Sequence, residues 1–458
     1  MPFNGPARIG VVALFACASA HAATFEVDTE TDTVDANPGD GLCADADGHC
    51  SLRAAIQETN ALAGTDTVEL PAGTFALTIA GIDENAAATG DLDITDDLAI
   101  EGAGSDLTFI DGGALDRVFD IFSGLGTRSV AFSHLTMRNG FIENSGFGAG
   151  GAGIHVDALA HVALEDVVIR DNRATQSFTG IAIDTQGCVE GSRVRILDNV
   201  DTADTGAGSA VAAIHVYENK DVDLGACLTL EDSEISGNRA DQAGAIESEY
   251  APITLKRTLI SNNEARFAGA IIANIAADTR LENVTISGNR GNPGAILNDG
   301  GSHLTIVNST ITGNTGSFGQ PTVGGIQDVH GGFGLTFLSN TILHGNGPGF
   351  IADDCDRATS VGGGNMIGDS ARCNFDARPS DQLDIDPGLS PLADNGGFTW
   401  THLPGATAID HADAAACPAS DQRGLPRPVD GDGDGTASCD AGAVELQRDA
   451  IFADGFDA

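Results

Sequence analysis

The sequence predicts an all-β chain, a parallel β-helix solenoid with one short helix near its N-terminal end. Three observations carry that expectation. A short phrase returns many times, its asparagines keep a nearly constant period, and a lone amphipathic segment precedes the first repeat.

The phrase reads LEDVVIRDNRA (Leu164–Ala174), LEDSEISGNRA (Leu230–Ala240), LKRTLISNNEA (Leu255–Ala265), LENVTISGNRG (Leu281–Gly291) and IVNSTITGNTG (Ile306–Gly316). Looser copies are FSHLTMRNG (Phe132–Gly140), GSRVRILDNV (Gly191–Val200) and FLSNTILHGNG (Phe337–Gly347). A second phrase follows most copies: GGAGI, AGAIE, AGAII, PGAIL or VGGIQ. Asn238, Asn263, Asn289 and Asn314 set the register, with steps of 25, 26 and 25 residues. A fixed period of this length marks a solenoid.

Within a repeat, apolar residues alternate over short runs and stop at Gly or Asn, which is the pattern of strands bounded by turns. Asn and Gly accept the left-handed backbone that a sharp corner needs. One Asn per coil is expected to hydrogen-bond to its counterpart in the next coil. Leu281, Val284 and Ile286 are expected to point inward. These features give about three short strands per coil, and about eight or more coils make a rod of roughly 40 Å. The leucine-rich solenoid is excluded by the absence of an L-x-x-L-x-L pattern.

CSLRAAIQETNA (Cys50–Ala61) is the amphipathic segment. Ser51 can N-cap it, and Leu52, Ala55, Ile56 and Thr59 share a face. An open first coil is a bare sheet edge, so the helix is expected to plug it; packing on the side of the rod is the alternative.

The N-terminus reads as a secretory signal, with Arg8, the apolar run Ile9–Ala16 and Ala20-His21-Ala22 before a mature start at Ala23. A lipoprotein signal ending at Cys17 is the alternative, although Phe15 suits it poorly. Eight cysteines remain in neighbouring couples: Cys43/Cys50, Cys188/Cys227, Cys355/Cys373 and Cys417/Cys439. Proximity and an oxidising compartment favour disulfides within these couples, and no C-x-x-C pair supports metal binding instead. No later stretch is long and apolar enough for a transmembrane helix. The expected divisions are 1–22 signal, 23–90 N-terminal cap, 91–350 repeats, 351–446 C-terminal coils and a following region, and 447–458 tail. The short stretch after Leu446 leaves no room for a β-barrel translocator.

Acidic residues outnumber basic ones 66 to 22, for a formal charge of −44. Such a chain repels nucleic acid and anionic lipid. It repels polyanionic glycans as well, unless a cation bridges the two. Its 41% hydrophobic content argues against disorder.

CSLRAAIQETNA, followed by TDTVELPAGTFAL (Thr65–Leu77) and GDLDITDDLAIEGAGSDLTFIDGG (Gly90–Gly113), resembles the CSLREA family of secreted bacterial proteins. That resemblance implies a pectin-lyase-like right-handed parallel β-helix. Ala54 stands where the signature has Glu, so a reciprocal capping box is lost. The repeats resemble those of polymorphic outer-membrane proteins. Asp384–His411 with Asp421–Leu446 is similar to the choice-of-anchor Q region found after such helices. These families share an architecture and a location at the cell surface or outside the cell, with no common reaction.

The candidate chemistry is sparse. Coils aligned on the Ile after the Gly-Ala phrase bring His155, His215, Glu247 and Gln327 into one column. Asp157, Asp184, Glu249, Asn298, Asp299 and Asp328 lie further along. Glu247 and Glu249, two apart, can share a face and form the carboxylate pair that glycoside hydrolysis requires. Arg257 beside Asp232, with Lys256 adjacent, is the one candidate basic site for a lyase. DGDGDG (Asp430–Gly435) presents Asp430, Asp432 and Asp434 like the first half of a calcium loop, with Ala441 where a bidentate Glu belongs and Asp440 or Glu445 as substitutes. Asn283 and Asn308, in N-x-[ST] triplets, read as ladder asparagines. Sugar-stacking aromatics are few: Trp400, Tyr217 and Tyr250.

The expectation from these residues is a surface-associated or secreted β-helix that contacts a cell-surface or matrix glycan or protein without catalysis, with structural calcium in the C-terminal region. A polysaccharide-degrading lyase or glycoside hydrolase is the alternative. A spacer that merely presents the C-terminal region is a third reading.

Overall fold

The computed structural model describes residues 22–447, except 83, 123, 125, 144–149, 176, 203–210, 212, 219–224, 317–322, 330–334, 348–353 and 374. The expected signal peptide before Ala22 and the tail after Gln447 lie outside the described residues.

One coil shows how the chain winds. Ile253–Lys256, Leu259–Ser261, Glu264–Ala265 and Ile271–Asn274 follow in order. Each pairs in parallel with its counterpart in the next coil: Leu255 with Leu281, Ile260 with Ile286, Glu264 with Arg290 and Ile271 with Ile296. The described strands form sheets of 22, ten and seven strands, making a right-handed parallel β-helix. The three expected faces are present, but the longest sheet takes two strands from each coil. A single left-handed residue, such as Asp232, Arg257 or Asn283, bends the chain there without ending the ladder.

The second corner carries Gly237, Asn262, Gly288 and Gly313 at positive φ, each directly before a ladder asparagine. The amide Nδ2 of Asn238 donates to Oδ1 of Asn263 at 2.9 Å, Asn263 to Asn289 at 3.0 Å and Asn289 to Asn314 at 2.9 Å. Asn172 and Asn199 extend the ladder at one end, and Asn346 and Asp354 at the other. Asn283 and Asn308 are not members. They sit at the first corner, where the C-terminal segment covers them, and Asn283 donates to the carbonyl of Ser420 at 2.9 Å. Leu281, Val284 and Ile286 face the core and are fully buried.

The helix Leu52–Ala61 packs on the strands Asp66–Glu69 and Leu92–Ile94 of the first coil, and Leu52, Ala55 and Ile56 join the core. Ser51 Oγ accepts the N–H of Ala54 at 3.0 Å. The burial extends beyond the expected face, from Leu52 through Thr59, because Asp32, Thr33, Asp35 and Gly39 on one side and Ala87, Gly90 and Asp91 on the other bond the remaining faces of the helix. Arg53 bonds Asp32 at 2.6 Å and the carbonyls of Ala87, Gly90 and Asp91. Gln57 accepts the N–H of Asp35 at 2.8 Å. At the other end Cys373, Phe375 and Leu383 pack against the last core residues.

All four expected disulfides form: Cys43–Cys50, Cys188–Cys227, Cys355–Cys373 and Cys417–Cys439. Among the described residues no helix is long and apolar enough to cross a membrane. Residues 384–446 have little regular structure and run along the outside of the long sheet. Thr285 donates to Gln422 at 2.6 Å, Ser287 bonds His402 at 2.9 Å, and the N–H of Ala443 reaches Thr310 at 3.0 Å.

Candidate functional site

In the ten-stranded sheet, alternate residues face inward and outward. Ile154, Ile181, Ile214, Ile246 and Ile271 fill the core. Between them the outward position runs, in register, through Asp93, Asp120, His155, Ala182, His215, Glu247 and Ile272. The next outward row holds Tyr217, Glu249 and Asn274. Asp157 and Asp184 precede them: the Asp157 N–H bonds the carbonyl of Ile121 and the Asp184 N–H that of Val156, continuing the parallel ladder.

At the N-terminal end of the column is an ion-paired network. Arg117 meets Asp91 at 3.1 Å and Asp120 at 3.2 Å. His155 bonds Asp120 through Nδ1 at 2.9 Å and Asp184 through Nε2 at 3.4 Å. Burial works to lower the His155 pKa, but the two carboxylates outweigh it and raise it to about 9. Burial works upward on Asp120, yet the bond and charge of His155 leave it below the usual carboxylate range. Burial first, and then the neighbouring carboxylates, push Asp91 to about 8; burial likewise pushes Asp93 to about 7.

Further along, His215 lies under Phe178, the rings stacked at 3.8 Å. Burial takes its pKa to about 4 against the opposing charge of Asp184, so the imidazole is neutral. Its Nδ1 is buried without a hydrogen-bond partner. Directly opposite, in the next coil, is Glu247, only 3% exposed. Burial, and secondarily the charge of Glu249, raise Glu247 to about 8. Glu249 is half-buried, and its carboxyl is shifted upward by desolvation. One carboxyl is therefore protonated at neutral pH beside a more exposed one on the same face. Such a split is how a site assigns acid and base roles to two like groups.

The structure brings His155, His215, Glu247 and Gln327 into the expected column, with Asp157, Asp184 and Glu249 beside it. Asn298 and Asp328 depart from expectation. They point inward, 1% and 5% exposed, and share hydrogen bonds with Thr336 in the core. They fall at inward positions because the strand parity is set by Ile296 and Ile326. Asp299 is half-buried beyond them. Arg257 is tied to Asp232 by two bonds of 2.7 Å and also contacts Glu231, on a different sheet from the column. This ion pair holds its guanidinium firmly protonated, and Lys256 is half-buried alongside.

Asp91, Asp93, Arg117, Asp120 and Phe178 were not legible as site residues. The usable signal was that LDI (Leu92–Ile94) and FDI (Phe119–Ile121) share the apolar–polar–apolar form of IHV (Ile154–Val156). They lack the Gly-Ala phrase used for alignment.

The acidic C-terminal loop also differs from expectation. Carboxylate atoms of Asp430 and Asp432 converge within 4.8 Å with Asp410, while Asp434 stays outside and caps the N–H of Thr436. Asp440 and Glu445 do not complete the loop. They are buried, Glu445 lies 3.4 Å from Arg427, and burial raises them to about 6 and about 7.

A family comparison agrees with the winding of the chain over part of its length. Residues 179–367 match the family described as a right handed beta helix region. A solved structure of pectate lyase Pel9A is similar at 13% sequence identity and a TM-score of 0.42, over 93% of this chain and 98% of that one. No curated protein matches the chain. The chain is thus a right-handed parallel β-helix protein, braced by disulfides, with a titratable column on one outer sheet.

Proposed function

We propose that the chain is a secreted polysaccharide-degrading enzyme acting on the outward face of the ten-stranded sheet. The observation that carries this reading is the unequal environment of Glu247 and Glu249 on one strand. Glu247 donates its proton to the leaving glycosidic oxygen. Glu249, with its more solvated carboxylate, serves the opposite face of the bond as base or nucleophile. His215 lies beside Glu247 and holds no charge that would draw the proton away. Four disulfides suit an oxidising compartment outside the cytosol.

A non-catalytic glycan-binding face has no need for a buried acid, so the geometry favours degradation over simple adhesion. A structural calcium ion held by Asp410, Asp430 and Asp432 is a further part of the proposal. Three carboxylates converging near the surface suit a hard cation that takes oxygen ligands.

The test is a turnover screen on neutral, acidic and amine-bearing polysaccharides, with and without calcium. Reducing-end release by the native chain, lowered about 10²–10⁴-fold in Glu247→Gln, supports the reading. Silence on every polymer by folded protein, or full activity in the variant, overturns it.

A further inference from the structure

The charge lining the site constrains which polysaccharide it can take. Asp157, Asp184 and Glu249 stand half-exposed in one row, alongside Tyr217. Successive coils rise by about 4.8 Å, close to the length of one sugar in an extended chain. A polysaccharide laid along the rod would therefore meet Asp157 and Asp184 on adjacent coils and, past Tyr217, Glu249.

Of this row the neighbouring cations reach only Asp184, which His155 contacts at 3.4 Å. Arg117 is engaged by Asp91 and Asp120, and His155 by Asp120 and Asp184. No Lys or Arg stands in either outward row among the described residues. A uronate polymer would need a bridging divalent cation. The three-carboxylate cluster in the column, Asp91, Asp93 and Asp120, already holds the guanidinium of Arg117. Independently of the carboxylates, the buried and unpartnered Nδ1 of His215 offers a neutral hydrogen-bonding group next to Glu247.

We infer that the substrate is a polysaccharide bearing free amines, a polymer of deacetylated hexosamine, and that its cleavage is hydrolysis. The inference rests on the catalytic reading of Glu247 and Glu249. Water oxygen bonds to the anomeric carbon as the glycosidic C–O bond breaks. The Glu247 proton goes to the leaving oxygen, and the proton lost by water goes to Glu249. Elimination is unsuited to such a polymer, because it lacks the acidic C–H beside a carboxylate.

The experiment separates binding from turnover. Glu247→Gln protein is sedimented with an insoluble N-acetylglucosamine polymer, with the same polymer after deacetylation, and with calcium-gelled polygalacturonate. The expected result is selective binding to the deacetylated form, weakened about tenfold between low and physiological salt and weakened further by Asp157→Asn. Native protein should then cleave that polymer. Equal binding to acetylated and deacetylated forms, or preference for the calcium-gelled uronate, overturns the inference. Amine-selective binding by folded native protein with no cleavage would keep the ligand class and remove the catalytic reading.

Discussion

Glu247 and Glu249 stand two residues apart on one strand and one face, yet only the first is enclosed. Glu247 lies between His215 and Ile272 of the adjacent coils, where no described charge compensates its own, and burial holds its proton on. Glu249 is the next outward residue along the strand and is only half-buried. The separation arises from the solenoid itself: in-register stacking lets one column be lined by apolar and neutral neighbours while the next meets water.

The first consequence is a bell-shaped rate. Catalysis needs Glu249 ionised and Glu247 protonated, so kcat/KM should rise with pH across the acidic range and fall through about 8, where Glu247 loses its proton. Burial also shifts Glu249 upward, which places the rising limb above that of an ordinary glutamate. A profile flat from pH 6 to 10 would contradict this assignment.

The same acid should weigh on stability. Its folded pKa of about 8 exceeds the ordinary value of 4.5, so the folded chain binds more protons than the unfolded chain between those limits. Stability contributed by this group therefore falls as pH rises through that window. Glu247→Gln keeps the volume and removes the titration. The variant should match the native chain near pH 4 and exceed it by about 4 kcal/mol at pH 8, at about 1.4 kcal/mol per pKa unit over the shift from 4.5 to about 8. Paired urea titrations at the two pH values check this, and a variant less stable at pH 8 would refute it.

Calcium should act at the other end of the chain. Asp410, Asp430 and Asp432 gather there, each already accepting backbone N–H bonds that hold the loop in shape. A site with the modest affinity of extracellular modules would contribute about 1–3 kcal/mol at ~10 mM calcium. Thermal unfolding with calcium and with a chelator reads the effect. Asp432→Asn should abolish the shift, while Asp434→Asn should leave it intact. Equal melting temperatures in both conditions would remove the ion.

The fold was far more legible than the site. Gly237, Gly288 and Gly313 beside Asn238, Asn289 and Asn314 announce both the corner and the ladder, because backbone geometry restricts those positions to few residue types. Inward Ile and Leu announce the core by parity. Outward positions obey no such restriction, so Asp93 and Asp120 looked like any solvated aspartates until strand pairing placed them beside Arg117 and His155. Asn283 and Asn308 were misread for a related reason: the residues they bond, Ser420 and Asp440, lie more than a hundred residues later, and only tertiary contact reveals it.

The ladder itself yields the remaining prediction. Asn289 accepts from both the N–H and the side-chain amide of Asn263, and donates to Asn314 and to the carbonyl of Ile260. All three asparagines are fully buried, so no water replaces a lost partner. Asn289→Ala removes these four bonds and a longer one to the Ser287 carbonyl, and it strands the Asn263 N–H; each buried unsatisfied group costs about 1–3 kcal/mol. We expect a loss of about 3 kcal/mol in urea unfolding. Asn289→Asp should retain the acceptor for Asn263, yet it forfeits the donated bonds and buries a charge, so it should be at least as damaging. A loss below about 0.5 kcal/mol for the alanine variant, within the range of surface substitutions, would mean that the ladder follows from the winding of the coil and does not help to hold it.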